Sequence, residues 1–189
     1  SAASDVYKRQ VEARAAVKAA YEYVGPVYMR FGRLAVPVIN DESTYKFEIG
    51  KGVELRSGKD ITIIATGLPV SESLEAAKFL AEDGIDAQVI NIHTIKPLDE
   101  ELVVKAAQAT GRVFTVEEHS IIGGLGSAVM ECLAEKNPVK VTRIGVRDTF
   151  GESGPAKDLL HKYELDAEGI YKQIKAASVS YTHLRAHET

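Results

Sequence analysis

The sequence contains no tryptophan, only two methionines and a single cysteine among 189 residues. Because Cys132 has no second cysteine to pair with, no disulfide can form within the chain, which favours a reducing, cytoplasmic location. No apolar run approaches the roughly 20 residues that a membrane-spanning helix requires. No signal-peptide pattern is present at the start. We therefore predict no membrane partner and no disulfide scaffold.

An excess of basic residues is also absent. The chain has 23 Lys and Arg residues against 27 Asp and Glu residues, and its formal net charge is -4. Proteins that bind nucleic acid neutralise phosphates with Lys and Arg, so this balance argues against a nucleic-acid partner. Hydrophobic residues make up 45% and charged residues 26% of the chain. These values are typical of globular proteins, and the length suits one domain plus a fragment.

The two ends of the chain fit no periodicity with their neighbours. The chain begins with Ser1 rather than Met, so we expect the coding sequence to be truncated upstream. Residues 1–10 and 177–189, including SAASDVYKRQ and VSYTHLRAHET, resemble translated adapter sequence. We interpret them as artefactual tails, with natural tails as the alternative, and exclude them from the fold prediction. His183 and His187 lie in the second tail and are not treated as metal ligands.

Residues 11–58 predict a helix, a strand and a connection. The alanine-rich stretch 11–23 favours a helix, which Gly25 and Pro26 should end. Residues 27–31 then read as a short strand. The next stretch is polar and interrupted by glycines, with short extended pieces. We assign 11–40 to the remnant of one domain and 41–58 to a linker.

From Asp60 onwards, apolar strands alternate with amphipathic helices. Residues 61–66 are almost continuously apolar and β-branched, which is typical of a strand buried on both faces. Further strands are predicted at 87–92, 113–117 and 139–146. Asp99 is the predicted N-cap of one intervening helix. This alternation indicates βαβ units with right-handed crossovers, so we predict a three-layer α/β/α domain with a mainly parallel sheet over 59–176.

Several polar side chains follow the predicted strands. Open α/β sheets bind ligands at the carboxyl ends of their strands, and these ends carry Thr66-Gly67, His93-Thr94, Glu117-Glu118-His119 and Arg147-Asp148. Taken alone, this cluster suggests an acid/base site. Adjacent glutamates on a strand point to opposite faces, so they form a poor carboxylate pair. The histidines lack metal-ligand spacing and can equally be hydrogen-bonded residues at a loop or subunit contact.

Two further features suggest phosphate binding. Gly123, Gly124 and Gly126 lie at the start of a predicted helix, where anions often bind. The motif is not GxGxxG and glutamates precede it, so we interpret these glycines as permitting close packing. Arg30 follows the predicted strand at 27–31, and its rigid fork of donors suits a phosphate. A surface ion pair is the alternative for Arg30.

Several segments, in this order, resemble the transketolase family: GPVYMRFGR, GKDITIIATG, INIHTIKPLD, TVEEHSIIGGLGSAV and IGVRDTFGESGPAKDLLHKYELDAEGI. They resemble the last strand of the pyrimidine-binding domain followed by the C-terminal domain, over roughly residues 11–175. The amino-acid sequences of these segments are most similar to those of split transketolases, whose C-terminal section is a separate polypeptide. Deoxyxylulose-phosphate synthase and the β subunits of 2-oxoacid dehydrogenases carry a similar domain, and fragments of these remain alternatives.

The resemblance implies transfer of a two-carbon ketol unit between sugar phosphates, as in the pentose phosphate pathway. It implies thiamine diphosphate and Mg²⁺ in the complete enzyme, an N-terminal transketolase section as partner, and a homodimer. Within that enzyme this chain would supply dimer assembly and part of the substrate-phosphate site. Arg30 matches the arginine that contacts the sugar phosphate. His93 and His119 match family positions, and with Glu118 we assign them to interface or loop structure.

The chain departs from the complete family pattern in two respects. It contains no GDG...N motif for the metal and diphosphate, and we expect the activating glutamate to lie upstream of Ser1. We therefore predict no catalytic, cofactor-binding or metal-binding residue in this chain, and no activity alone. This prediction conflicts with the acid/base interpretation of the strand ends, and we follow the resemblance. A stand-alone, non-catalytic dimerisation module is the alternative of another class.

Overall fold

Five strands form a single sheet in the order β1-β3-β2-β4-β5. The computed structural model describes residues 10–32 and 37–185, with side chains as far as residue 178. The strands are β1 (Val53–Arg56), β2 (Ile61–Ala65), β3 (Ala87–Asn91), β4 (Arg112–Ser120) and β5 (Lys140–Val146). β3, β2, β4 and β5 run parallel, and β1 pairs antiparallel with β3 at the edge. The predicted mainly parallel sheet is confirmed.

Helices cover both faces of this sheet. The helices of the structure are α1 (Gln10–Glu22), α2 (Pro69–Glu82), α3 (Glu100–Thr110), α4 (Leu125–Lys136), α5 (Ala156–Lys162) and α6 (Ala167–Arg185), and α1 borders the carboxyl edge of the sheet rather than a face. Side chains of α2 and α6 share one buried cluster with the sheet, and side chains of α3 and α4 share the other. Neighbouring strand residues point to opposite faces, so Ile63 packs in the first cluster and Ile64 in the second. The three-layer prediction is confirmed.

Helix α3 begins and ends as its sequence predicts. The Asp99 carboxylate accepts a hydrogen bond from the Leu102 backbone N–H at 3.2 Å, which is the contact expected of an N-cap. Gly111 closes the helix in the left-handed region, with φ of 66°. Asp99 also accepts from the Gly52 N–H at 2.9 Å, so one side chain joins the start of α3 to the approach to β1.

The strand predicted at 27–31 is wrong, because residues 26–32 adopt neither helix nor strand. A strand is stable only when a neighbour satisfies its backbone N–H and C=O groups. Within the described residues, no strand lies beside this segment. The preceding helix prediction is confirmed by α1, and residues 33–36 lie outside the described part of the chain.

Part of the predicted linker belongs to the sheet. Within 41–58, the strand β1 pairs with β3, with Val53 opposite Asn91. Of the predicted tails, residues 1–9 and 186–189 lie outside the described part, whereas 177–185 continue α6 and Ala177 packs against the core. None of the described helices combines the length and the apolar character needed to cross a membrane.

A candidate site at the carboxyl edge of the sheet

A cavity of about 780 Å³ lies at the carboxyl ends of the parallel strands. It is lined by α1, by residues within 26–32 and 37–49, and by residues at the ends of β2, β3 and β4. The four residues singled out from the sequence, Arg30, His93, Glu118 and His119, all line this cavity. Thr66 and Gly67 line it too, whereas Arg147 and Asp148 are exposed outside it. The predicted cluster therefore forms only in part.

Arg30, Glu118 and His119 are available for further contacts. Arg30 and His119 are exposed and Glu118 is half-buried. Within residues 10–32 and 37–178, none of the three side chains makes a hydrogen bond or an ion pair. The surface ion pair that was the alternative for Arg30 therefore does not form among these residues.

His93 is fixed by packing. Its ring stacks on Phe47 with 4.2 Å between the ring centroids, and its Nδ1 lies 2.9 Å from the Thr94 hydroxyl. Burial lowers the pKa of His93 below its ordinary value, and the negative charge of Glu12 acts in the opposite direction. A neutral, stacked imidazole suits a structural role in the loop. The predicted interface or loop role of His93 stays a prediction.

Glu117 is a buried carboxylate with a structural task. Its two oxygens accept hydrogen bonds from the backbone N–H groups of Leu125 and Gly126, each at 2.9 Å, and the residue is only 3% exposed. The carboxylate thus lies at the positive end of the α4 dipole. Sequence reasoning missed this role. The signal was the combination of a strand-end glutamate with a glycine-rich helix start eight residues later.

Of the three glycines at the start of α4, Gly124 and Gly126 serve close packing, as predicted, whereas Gly123 has open space around it and a positive φ of 73°. A Cβ atom at Gly124 would lie 1.9 Å from the Glu117 Oε2 atom, and one at Gly126 would lie 2.8 Å from the Thr115 Oγ1 atom. No side chain fits at either position without displacing these neighbours. Since Glu117 already occupies the N–H groups of the helix, a diphosphate cannot bind there without displacing it.

A second missed cluster connects α1 to the sheet. One oxygen of Glu12 accepts hydrogen bonds from the Tyr45 hydroxyl at 2.9 Å and from the Asn91 side-chain amide at 2.7 Å. Asn91 is 2% exposed, and its Oδ1 atom has no hydrogen-bond partner among the described residues. Burial, together with the charge of Glu12, raises the pKa of Tyr45, so its hydroxyl stays protonated and donates.

Comparison with known proteins decides the family. The model of the transketolase C-terminal domain matches residues 50–170. This chain belongs to the transketolase family as a C-terminal section. It is 48% identical over 159 residues to the 6-deoxy-6-sulfo-D-fructose transketolase subunit SqwH of Clostridium sp. (strain MSTE9), covering 84% of this chain and 49% of the relative. The chain thus spans about half the length of that relative.

Two further relatives mark the breadth of the transketolase family. The 1-deoxy-D-xylulose-5-phosphate synthase 1 of Geobacter sulfurreducens is 42% identical over 168 residues, which cover 86% of this chain and 26% of the relative. Among solved structures, a split gene transketolase described as an inactive β4 tetramer is 49% identical, with a TM-score of 0.82. That match covers 87% of this chain and 54% of the other.

The transketolase C-terminal domain accounts for one wall of the cavity. His93, Glu118 and His119 lie inside the matched range of 50–170, whereas Arg30 and Glu12 precede it. In the described part of this transketolase section, no group of three or more His, Cys, Asp or Glu side chains could hold a metal ion. With Glu117 on the α4 N-terminus, the described residues do not fit a metal–diphosphate unit.

Proposed function

We propose that the chain is the C-terminal section of a thiamine diphosphate-dependent transketolase that transfers two-carbon ketol units between sugar phosphates. In the complete enzyme it contributes dimer assembly and one part of the substrate-phosphate site. The supporting observation is Arg30, which lines the cavity without an ion pair among the described residues. A guanidinium with free donors matches the geometry of a phosphate group.

The remaining parts of the active site belong to the N-terminal section in this proposal. The chain spans 49% of its sulfofructose transketolase relative, and its described residues do not fit a metal–diphosphate unit. Thiamine diphosphate with Mg²⁺, held elsewhere in the assembly, supplies the covalent chemistry of ketol transfer. This chain's task is to bind and orient the charged end of the substrate through Arg30, in a cytoplasmic homodimer of the complete enzyme.

The surface around the end of α1 supports an assembly role. Tyr21, Val24 and Tyr28 are 90%, 97% and 87% exposed, and they lie close together in the sequence. Exposed apolar residues grouped in this way are typical of contact surfaces. The related split gene transketolase is described as an inactive β4 tetramer. By analogy, we propose that this section assembles without catalysing the reaction alone.

Substitution of Arg30 tests the proposal directly. In an assembly of this chain with the N-terminal section of a split transketolase, Arg30→Ala should raise KM for phosphorylated sugars by about 10- to 100-fold, because a charge-assisted contact is lost. The KM for unphosphorylated sugars should change little. Arg30→Lys keeps the charge without the fork and should give an intermediate KM. Equal changes for both sugar classes would exclude the phosphate role.

A deoxyxylulose-phosphate synthase fragment is the second candidate, supported by 42% identity to such an enzyme. The two candidates differ in product, because the synthase forms deoxyxylulose phosphate whereas a transketolase exchanges ketol units. Product analysis of the reconstituted assembly with defined sugar phosphates therefore separates them. If the chain assembles but supports neither reaction with either N-terminal partner, the non-catalytic dimerisation module becomes the preferred function.

A further inference from the structure

The half-buried face of helix α1, which borders the cavity at the sheet edge, is made mainly of small side chains. Its half-buried residues are largely alanines, and Ala13, Ala16 and Ala20 line the cavity. Alanine methyl groups bury little area and interlock poorly with their neighbours, so they do not fix the rotation or the register of a helix. Another kind of contact must define where α1 lies.

Glu12 supplies that contact. Its Oε2 atom accepts hydrogen bonds from the Tyr45 hydroxyl and the Asn91 side-chain amide. These donors are separated from Glu12 by 33 and 79 positions in the sequence. Asn91 lies at the end of β3 and is buried, so its amide is held in place by the sheet. Hydrogen bonds to a carboxylate in a poorly solvated setting are strong and directional. Two donors, one from the loop that precedes β1 and one from β3, therefore define one position for α1.

The ion pair between Arg14 of α1 and Glu42 contributes much less than these hydrogen bonds. Arg14 lies 3.3 Å from Glu42, but their side chains are 59% and 72% exposed. Exposed pairs of this kind add little stability and are weakened by salt. Glu12 is therefore the main polar anchor of α1 among the described residues.

The placement of Arg30 follows from this anchor. α1 leads through Gly25 and Pro26 into residues 26–32, which carry Arg30 and have no helix or strand of their own. Arg30 and Glu12 line the same cavity as Asn91 and His93. A rotation or shift of α1 would therefore move the wall that carries Arg30 relative to the end of β3.

We propose that Glu12 is a positioning residue that sets the Arg30 wall of the cavity against the sheet edge through Tyr45 and Asn91. This inference rests on the proposed substrate role of Arg30. Glu12 acts through α1 rather than on the substrate. The carboxylate is the strongest acceptor for this arrangement, because one charged oxygen accepts two donors. A glutamine carbonyl can accept the same donors without charge, and an alanine can accept neither.

Hydrogen exchange on the full chain tests the anchoring step without any enzymatic activity. Amides of α1 should exchange about tenfold faster in Glu12→Ala, because both hydrogen bonds are lost. Glu12→Gln should lie between that variant and the parent. Glu22→Ala is the matched control on the same helix, since Glu22 is exposed and makes no hydrogen bond among the described residues. Equal exchange in the Glu12 and Glu22 variants would overturn the anchoring role.

A double-mutant cycle in the assembly with the N-terminal section tests the positioning step. Glu12→Ala should raise KM for phosphorylated sugars by about tenfold with little change in kcat, and this increase should disappear in the Arg30→Ala background because the affected contact is already absent. The positioning role would be refuted if Glu12→Ala left KM unchanged in the parent. It would also be refuted if Glu12→Ala raised KM equally in the parent and in the Arg30→Ala background. If Arg30→Ala itself leaves KM unchanged, the proposed function fails instead, and hydrogen exchange still decides the anchoring.

Discussion

Glu117 is the residue on which the start of α4 depends. Glu117 is 3% exposed, and its carboxylate accepts hydrogen bonds from two backbone N–H groups that have no partner within the helix. The absent side chain of Gly124 leaves the space that this carboxylate occupies. A buried carboxylate that satisfies two buried donors is difficult to replace, because each substitution leaves donors without acceptors.

Substitutions of Glu117 should therefore destabilise the chain. Glu117→Ala leaves both N–H groups buried without an acceptor and should lower the free energy of unfolding by about 2–4 kcal/mol. Glu117→Gln retains one acceptor, places an amide N–H against the second donor, and should cost about 1–3 kcal/mol. Glu118→Gln is the matched control and should remain within about 0.5 kcal/mol of the parent. Urea denaturation measures all three, and an equal loss for Glu118→Gln would contradict the proposed cap.

Single residues could be predicted where their partners are local. Asp99 lies three residues before the N–H that it caps, so the N-cap rule found it. Glu117 and Gly124 lie close in the sequence, but only the fold brings the carboxylate onto the helix. The sequence analysis treated the glutamates before α4 only as evidence against anion binding at its glycine-rich start. In the structure the Glu117 carboxylate itself accepts the N–H groups at that helix start. Nothing local connects Glu12 with Asn91, which lies 79 residues away.

At the scale of elements, whether a segment with strand-forming residues becomes a strand depends on whether another strand lies beside it. Residues 61–66 were predictable as a strand because a continuous β-branched run matches burial on both faces, and all five residues of β2 are buried. Residues 27–31 are also mostly apolar, but they have no adjacent strand among the described residues and remain irregular. β1 shows the reverse case, because one of the short extended pieces expected within the linker becomes a strand of the sheet by pairing with β3.

The junction between α5 and α6 contains a pH-sensitive contact. Asp166 accepts a hydrogen bond from the Gly169 N–H at 2.9 Å and lies 2.6 Å from the Nδ1 atom of His161, which is in the last turn of α5. The hydrogen bond to Asp166 raises the pKa of His161 above its ordinary value. Burial opposes the change at Asp166, but its hydrogen bonds lower its pKa below the ordinary value.

The sign of the pH dependence follows from these two directions. The His161 contribution to stability is fully present below the unfolded pKa near 6.5 and is lost as pH rises through the raised folded value. The Asp166 contribution is present above the unfolded pKa near 3.8 and is lost as pH falls through the lowered folded value. The contact therefore stabilises the chain most between these two limits.

Thermal unfolding as a function of pH tests this contact. The parent should lose stability as pH rises above about 6.5, and the loss should be small because His161 is exposed and its pair is screened by solvent. His161→Gln should remove that part of the pH dependence while retaining the fold. His119→Gln, which changes an exposed histidine without a hydrogen-bond partner in the described range, is the control. A parent-like pH profile for His161→Gln would show that the contact contributes nothing.

At the scale of the whole molecule, the chain has two unequal parts. The sheet and the helices on its faces form a continuous core, with side chains such as Phe114 and Ile144 almost completely buried. By contrast, α1 is joined to the sheet edge through Glu12, and residues 21–28 expose apolar side chains, including Tyr21, Val24 and Tyr28. The family fold was predictable because the core motifs follow one another in order. The position of α1 depends on long-range contacts that no local pattern reveals.

The exposed apolar residues should serve association rather than folding, which gives a prediction for the assembly. Tyr28→Glu should weaken binding of the N-terminal section at least about tenfold and leave the chain's own unfolding free energy within about 0.5 kcal/mol, because Tyr28 is 87% exposed. Gln108→Glu on the exposed side of α3 adds the same charge elsewhere and should change neither quantity. Calorimetric titration of the two sections measures binding, and denaturation measures stability.

Catalysis should appear only in that assembly. Alone, the chain should show no ketol transfer and no tight binding of thiamine diphosphate with Mg²⁺ in calorimetry, because its described residues do not fit the metal–diphosphate unit. With the N-terminal section, activity should rise with complex formation and fall in parallel with binding in Tyr28→Glu. Activity of the isolated chain, or full activity of the Tyr28→Glu mixture without restored binding, would contradict the division of the site between the two sections. The first result would place the cofactor on this chain, and the second would place the contact surface elsewhere.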